Sequence, residues 1–320
     1  MSVDNNVKKM DKEELIRRIS ELKKQKDAIM MAHYYQQGDI QDIADYIGDS
    51  LALAQIAAKT DAKVIVMCGV HFMGETAKIL CPDKTVLVPD MEAGCSLADS
   101  CPTEEFTAFI KAHPGHTVIS YVNTTAEVKA LTDIVVTSGN ARQIVEKLPK
   151  DEKIIFGPDR NLGNYINSVT GRNMLLWDGA CHVHEKFSFE KIQELKKDHP
   201  EAKLLVHPEC KKPLQLIADK VGSTAVLLKY AGESDADTFI VATESGIIHE
   251  MEKKYKGKKF IPAPPDDSTC ACNECSFMKL NTLQKVYECL KNGKPAIEVD
   301  HELAVRARKP IERMLELTEK

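Results

Sequence analysis

An internal repeat sets the strongest limit on what this chain can fold into. Three stretches share one order of parts: a short apolar run, a helix, a small-residue turn, a helix, a second run, a glycine- or serine-bearing loop, a helix, a strand and a cysteine. They open on AIMMA, TVISYV and KLLVH and end at Cys95, Cys181 and Cys275. Sequence self-similarity of this kind marks repeated supersecondary units. The register is shared too. His33, Tyr121 and His207 close the opening runs, Tyr35, Asn123 and Glu209 stand two residues on, and Ser50, Ser138 and Thr224 stand seventeen on. Residues two apart in extended chain point to the same side, so each strand end presents a pair.

The apolar runs at 28–32, 64–69, 117–122, 153–157, 203–207 and 239–243 read as buried strands. Helical segments at 14–27, 51–60, 127–133, 141–148 and 213–222 alternate with them. Alternation of this kind predicts an α/β fold with parallel sheets and covering helices. The expected domains are 1–99, 100–185 and 186–275, with a helix in 276–320 packing back on the first. Ligands of open parallel sheets bind beyond the carboxyl ends of the strands, so three such units facing a common centre would share one cavity. Ser50, Ser138 and Thr224 are expected to cap helices there, beside backbone N–H groups that can meet an anion.

Composition removes several classes. A net charge of −5 argues against general nucleic-acid binding, which rests on basic side chains. No apolar run approaches the roughly 18 residues of a membrane helix, and the N-terminus lacks a secretory core, so a cytoplasmic protein is expected. The basic run at 252–259 reads as a solvated helix end.

Ten cysteines are many for a chain too large to need a disulfide framework. Cys68, Cys81, Cys210 and Cys289 read as packing residues and Cys101 as a neighbour of the site. Cys95, Cys181 and one of Cys270, Cys272 or Cys275 end the repeats. Structural zinc asks for four ligands with paired CxxC spacing, which only Cys272–Cys275 offers. Three thiolates suit a [4Fe–4S] cluster with one iron left open as a Lewis acid. Cys275 is the best third ligand, because it precedes an apparent helix whose N-terminus favours a thiolate.

The motifs AHYYQ, GDSLAL, FMGETAKIL, EAGCSLADSCP, YVNTTAEVKALTD, TSGNA, GACHVHEKF, HPEC, GST and CNECSFMKLNTL together resemble the quinolinate synthase family over nearly the whole chain. The resemblance implies three Rossmann-like, three-layer αβα domains in a pseudo-threefold triangle around a central active site. It implies an enzyme of de novo NAD biosynthesis that condenses iminoaspartate with dihydroxyacetone phosphate to quinolinate, losing phosphate and water. An aspartate-oxidising enzyme is the implied supplier of iminoaspartate. One [4Fe–4S] cluster is implied, held by Cys95, Cys181 and Cys275 with its fourth iron open to substrate. Family site residues fall on His33, Tyr35, Ser50, Tyr121, Asn123, Ser138, His207, Glu209 and Thr224. Tyr34 departs from a common Asn, Ser276 from a common Pro, and Cys270 adds a thiol.

On this reading Glu209 is the general base, and His33 and His207 bind or protonate oxygens because histidine titrates in the working range. Tyr35 and Tyr121 donate to leaving oxygens, Asn123 orients a carbonyl, and His184 braces the site. Two alternatives remain: another iron–sulfur hydro-lyase acting on a small carboxylic acid, and a non-enzymatic metal or redox-sensing module built on CACNEC.

Overall fold

The computed structural model describes residues 10–267 and 273–319. Three four-stranded sheets organise the chain. The first holds β1 (Ala28–His33), β2 (Tyr46–Gly48), β3 (Val64–Cys68) and β4 (Thr85–Leu87). The second holds β5 (Thr117–Tyr121), β6 (Ile134–Val136), β7 (Ile154–Gly157) and β8 (Leu175–Leu176). The third holds β9 (Lys203–Val206), β10 (Lys220–Val221), β11 (Thr238–Ala242) and β12 (Lys259–Pro262). Each sheet has its strands in the order second, first, third, fourth, and every pairing is parallel. Helices cover the sheets, so the fold is the expected α/β one, with three similar Rossmann-like units.

The central strands are apolar along their length because both faces are covered, and Met30, Ile65, Ile119, Phe156, Leu204 and Ile240 are buried there. One aspartate recurs at the same place in each sheet. Asp45, Asp133 and Asp219 precede β2, β6 and β10, and their carboxylates accept the N–H of Met30, Val118 and Leu204 at 2.7, 2.8 and 2.8 Å. Each aspartate N–H returns a bond of 2.9 Å to the carbonyl of the same residue. This double bond fixes the edge strand beside the opening strand, and satisfies backbone groups that would otherwise be buried unpaired.

Those edge strands differ from the helices expected at 127–133 and 213–222. The helices stop at Lys129 and Ile217, and two- or three-residue strands follow. Runs so short carry no alternation to distinguish them from a helix end. The segment after Cys275 also divides. Helix Leu283–Asn292 lies on helix Lys12–Gln25 and β3 of the first sheet, whereas helix His301–Glu319 lies mainly against β6 and helix Ala126–Lys129 of the second.

Candidate functional site

The carboxyl ends of all three sheets meet at one cavity. His33, Tyr35, Ser50, Tyr121, Asn123, Ser138, His207, Glu209 and Thr224 all line it, as do Cys95, Cys181 and Cys275. Among the described residues the lining includes four histidines and the carboxylates of Asp49, Glu209 and Glu244, but no lysine or arginine. Anion binding there therefore falls to backbone N–H groups and neutral donors.

Ser50 and Thr224 are the first residues of helices Ser50–Lys59 and Thr224–Glu233, not their caps. Asp49 and Ser223 perform the capping, accepting from Ala52 N and Val226 N. The expected capping role is thereby corrected, and the physical reason is register: a cap sits one residue outside the helix, with extended backbone. Ser138 lies in the turn that precedes helix Ala141–Lys147, where Asn140 takes the flanking position without a side-chain cap bond.

The histidines are held in one tautomer. His33 Nδ1 accepts from Tyr35 N at 3.1 Å, and His207 Nδ1 accepts from Glu209 N at 3.3 Å. A neutral imidazole that accepts at Nδ1 carries its proton on Nε2. Burial pushes both rings down to about 3, against the attraction of Glu209. They are neutral donors at working pH, which corrects the expectation that they titrate there.

One hydrogen-bonded chain joins the three units. Tyr121 Oη donates to Glu209 Oε1 at 2.5 Å, and His184 Nδ1 lies 3.2 Å from Glu209 Oε2. His184 Nε2 reaches Thr243 Oγ1 at 2.9 Å, and Tyr35 Oη lies 2.7 Å from Thr243 Oγ1 and 2.9 Å from Thr224 Oγ1. Burial alone would raise Glu209. The hydrogen bonds from His184 and Tyr121 and the nearby imidazoles of His184 and His207 outweigh it and hold the carboxylate below its ordinary value. Asn123 Oδ1 is buried beside this chain without a protein partner, an acceptor left for a ligand.

The cysteines sort by surroundings. Cys95, Cys181 and Cys275 are partly exposed, onto the cavity, whereas Cys68, Cys81, Cys101, Cys210 and Cys289 are buried. Cys270 and Cys272 lie outside the described residues. His184 Nδ1 also lies 3.2 Å from Cys181 Sγ, so Cys181, His184 and Glu209 offer ligand atoms within 4.8 Å of one another.

Comparison with known proteins decides the family. A family model described as quinolinate synthetase A protein matches residues 17–316. The chain is 56% identical over 305 residues to quinolinate synthase of Thermosynechococcus vestitus, covering 95% of this chain and 96% of that one. Quinolinate synthase of Synechococcus sp. is 56% identical over 300 residues, covering 94% of each chain. That of Chloroherpeton thalassium is 56% identical over 305 residues, covering 95% of each. This chain belongs to the quinolinate synthase family. It is an enzyme of that family.

Several residues that build the site escaped the sequence reading. In this quinolinate synthase family member, Asp159 and Glu244 each stand two residues past the third strand of their sheet. Asp159 Oδ2 accepts the N–H of Cys181 at 3.2 Å, and its Oδ1 accepts that of Leu162 at 2.7 Å. Glu244 Oε1 accepts the N–H of Cys275 at 3.1 Å, and its Oε2 accepts that of Gly246 at 2.7 Å. Lys279 Nζ pairs with Glu244 at 2.8 Å and donates to Tyr35 O at 2.8 Å. Ser96 Oγ and His182 Nδ1, each one residue past a cysteine, lie 2.5 Å apart. Tyr34 does not line the cavity and is buried in the core of the third sheet.

Proposed function

We propose that this chain condenses iminoaspartate with dihydroxyacetone phosphate to give quinolinate, phosphate and water, as a transferase in cytoplasmic NAD biosynthesis. The single observation that carries this reading is the convergence of nine polar side chains and three accessible thiols from three sheets on one cavity. Cys95, Cys181 and Cys275 would hold a [4Fe–4S] cluster. Such a cluster, with three thiolates and one open iron, supplies Lewis acidity for the loss of a substrate oxygen as water.

The chain's own residues do the rest. Both substrates are anions, and the helix starts at Ser50 and Thr224 present backbone N–H groups with a favourable dipole to carboxylate or phosphate. His33 and His207, with the proton on Nε2, donate to substrate oxygens without adding charge. Asn123 orients the substrate, its buried Oδ1 accepting from an N–H or hydroxyl and its amide N–H donating to a carbonyl. Glu209 removes protons during enolisation and ring closure. Its carboxylate is stabilised by Tyr121, so a substrate oxygen that takes over the Tyr121 bond raises its basicity when it is needed. Tyr121 and Tyr35 then return protons to leaving oxygens. An aspartate-oxidising enzyme supplies the iminoaspartate.

The test is product analysis with anaerobically purified protein. Quinolinate is expected only when iminoaspartate and dihydroxyacetone phosphate are both present, and Glu209→Gln is expected to lower turnover by about a hundredfold or more. No quinolinate from the pair, or turnover by Glu209→Gln within a few fold of wild type, would overturn the reading or that role.

A further inference from the structure

The residue eight positions past His33, Tyr121 and His207, at or just beyond the ends of the opening strands, does the same work in all three units, although its chemistry differs. These residues are Gln41, Lys129 and Gln215, counted from His33, Tyr121 and His207. Gln41 Nε2 donates to Tyr34 O at 3.0 Å and Gln36 O at 2.8 Å. Lys129 Nζ donates to Val122 O at 2.8 Å and to Thr124 O. Gln215 Nε2 donates to Pro208 O at 2.8 Å and Cys210 O at 2.7 Å. In each case the two carbonyls flank one residue that faces the cavity: Tyr35, Asn123 or Glu209.

We propose that Gln41, Lys129 and Gln215 are equivalent positioning residues, each gripping the two carbonyls on either side of Tyr35, Asn123 or Glu209 and so setting where that side chain enters the cavity. None of the three lines the cavity, so each acts through the loop it grips. The recurrence argues against coincidence. The loops diverge in sequence as HYYQ, YVNT and HPEC, yet the same carbonyls are taken by a nitrogen from the same turn of the following helix.

The second unit uses a charged version. Lys129 is fully buried, and its ammonium has the two carbonyls and the face of Phe72, 5.4 Å from the ring centroid. Burial pushes the amine down to about 8, with Glu75 opposing. A buried ammonium is costly unless its donors are satisfied, and this geometry satisfies them. Because the other two units reach equivalent carbonyls with glutamine, the backbone here can take glutamine as well.

Exchange between the two chemistries gives the test. The kinetic arm rests on the quinolinate-forming reading, and the exchange arm does not. Lys129→Met removes the donors, whereas Lys129→Gln restores the chemistry of the sister units. In cluster-loaded enzyme, Lys129→Met is expected to lower kcat by about tenfold or more and Lys129→Gln by less than about threefold, since small misplacements of catalytic groups cost up to about a hundredfold. Amide hydrogen exchange at residues 122–124 is expected to speed up in Lys129→Met and to stay near wild type in Lys129→Gln.

Gln215→Met, at a half-buried position, repeats both readouts for the loop of Glu209 should Lys129→Met fail to fold. Wild-type kcat per loaded chain in a methionine variant, or unchanged exchange in the gripped loop, would overturn the proposal, whatever the melting temperature. Absence of quinolinate from wild type would sink the proposed function instead, and exchange alone would then decide the grip.

Discussion

The loop that carries Cys95 and the loops that carry Cys181 and Cys275 are held in place by partly different means. In the second and third units a buried carboxylate two residues past the third strand ties the cysteine N–H to the start of the next helix. In the first unit Val70 occupies that position. A backbone bond is common to all three: His71 N, Arg160 N and Ser245 N reach Ala93 O, Gly179 O and Asn273 O at 2.7, 2.9 and 3.3 Å, each two residues before the cysteine. The first unit has that bond without an acid, and the other two add a carboxylate to it. The common need is to satisfy buried backbone groups where a loop turns toward the cavity. The acids therefore serve the loops, and their charge is a cost that local donors offset.

That difference can be broken deliberately. Val70→Asp is expected to have the largest effect, because it places a carboxylate at a fully buried apolar position. A loss of about 4 kcal/mol in urea unfolding is expected, near what an uncompensated buried charge costs. A stable Val70→Asp protein would mean that the first loop can adopt the acid-tied arrangement. Asp159→Ala should cost about 3 kcal/mol by the same measurement, since it strands the N–H groups of Leu162 and Cys181. A loss under about 1 kcal/mol would say that water replaces the carboxylate freely.

The smallest effect belongs to a feature that all three units share. Asp219→Asn should cost about 1 kcal/mol at neutral pH. Burial raises the Asp219 carboxyl, but the N–H of Leu204 and the ammonium groups of Lys203 and Lys196 outweigh it and hold it below its ordinary value of 3.8. A depressed folded value means that the stabilisation is whole above the ordinary carboxylate range and is lost as pH falls through the folded value. The gap between wild type and Asp219→Asn should accordingly close in acid. A gap that widened there would reverse the sign and the explanation.

Much of the fold was legible because the repeat places strands and turns at matched intervals. The lining residues were legible for the same reason, since a strand end and the residue two beyond it face one way. Asp45, Asp133 and Asp219 carry an equally plain signal, being one residue type at one spacing. Gln41, Lys129 and Gln215 do not, because glutamine and lysine share only a donor nitrogen, and what they grip is backbone. Asp159 and Glu244 were hidden for a related reason: their partners are N–H groups, which leave no mark on residue identity. The edge strands were hidden by brevity. The neutral state of His33 and His207 follows from burial, which spacing does not report.

The most direct measurement of the central claim is an iron and sulfide count on anaerobically purified wild type and on Cys95→Ala, Cys181→Ala and Cys275→Ala. About four irons and four sulfides per wild-type chain are expected, with loss of the full cluster in every variant despite the different supports of the three loops. A full complement in any one variant would remove that cysteine from the ligand set and contradict a cluster shared by all three units.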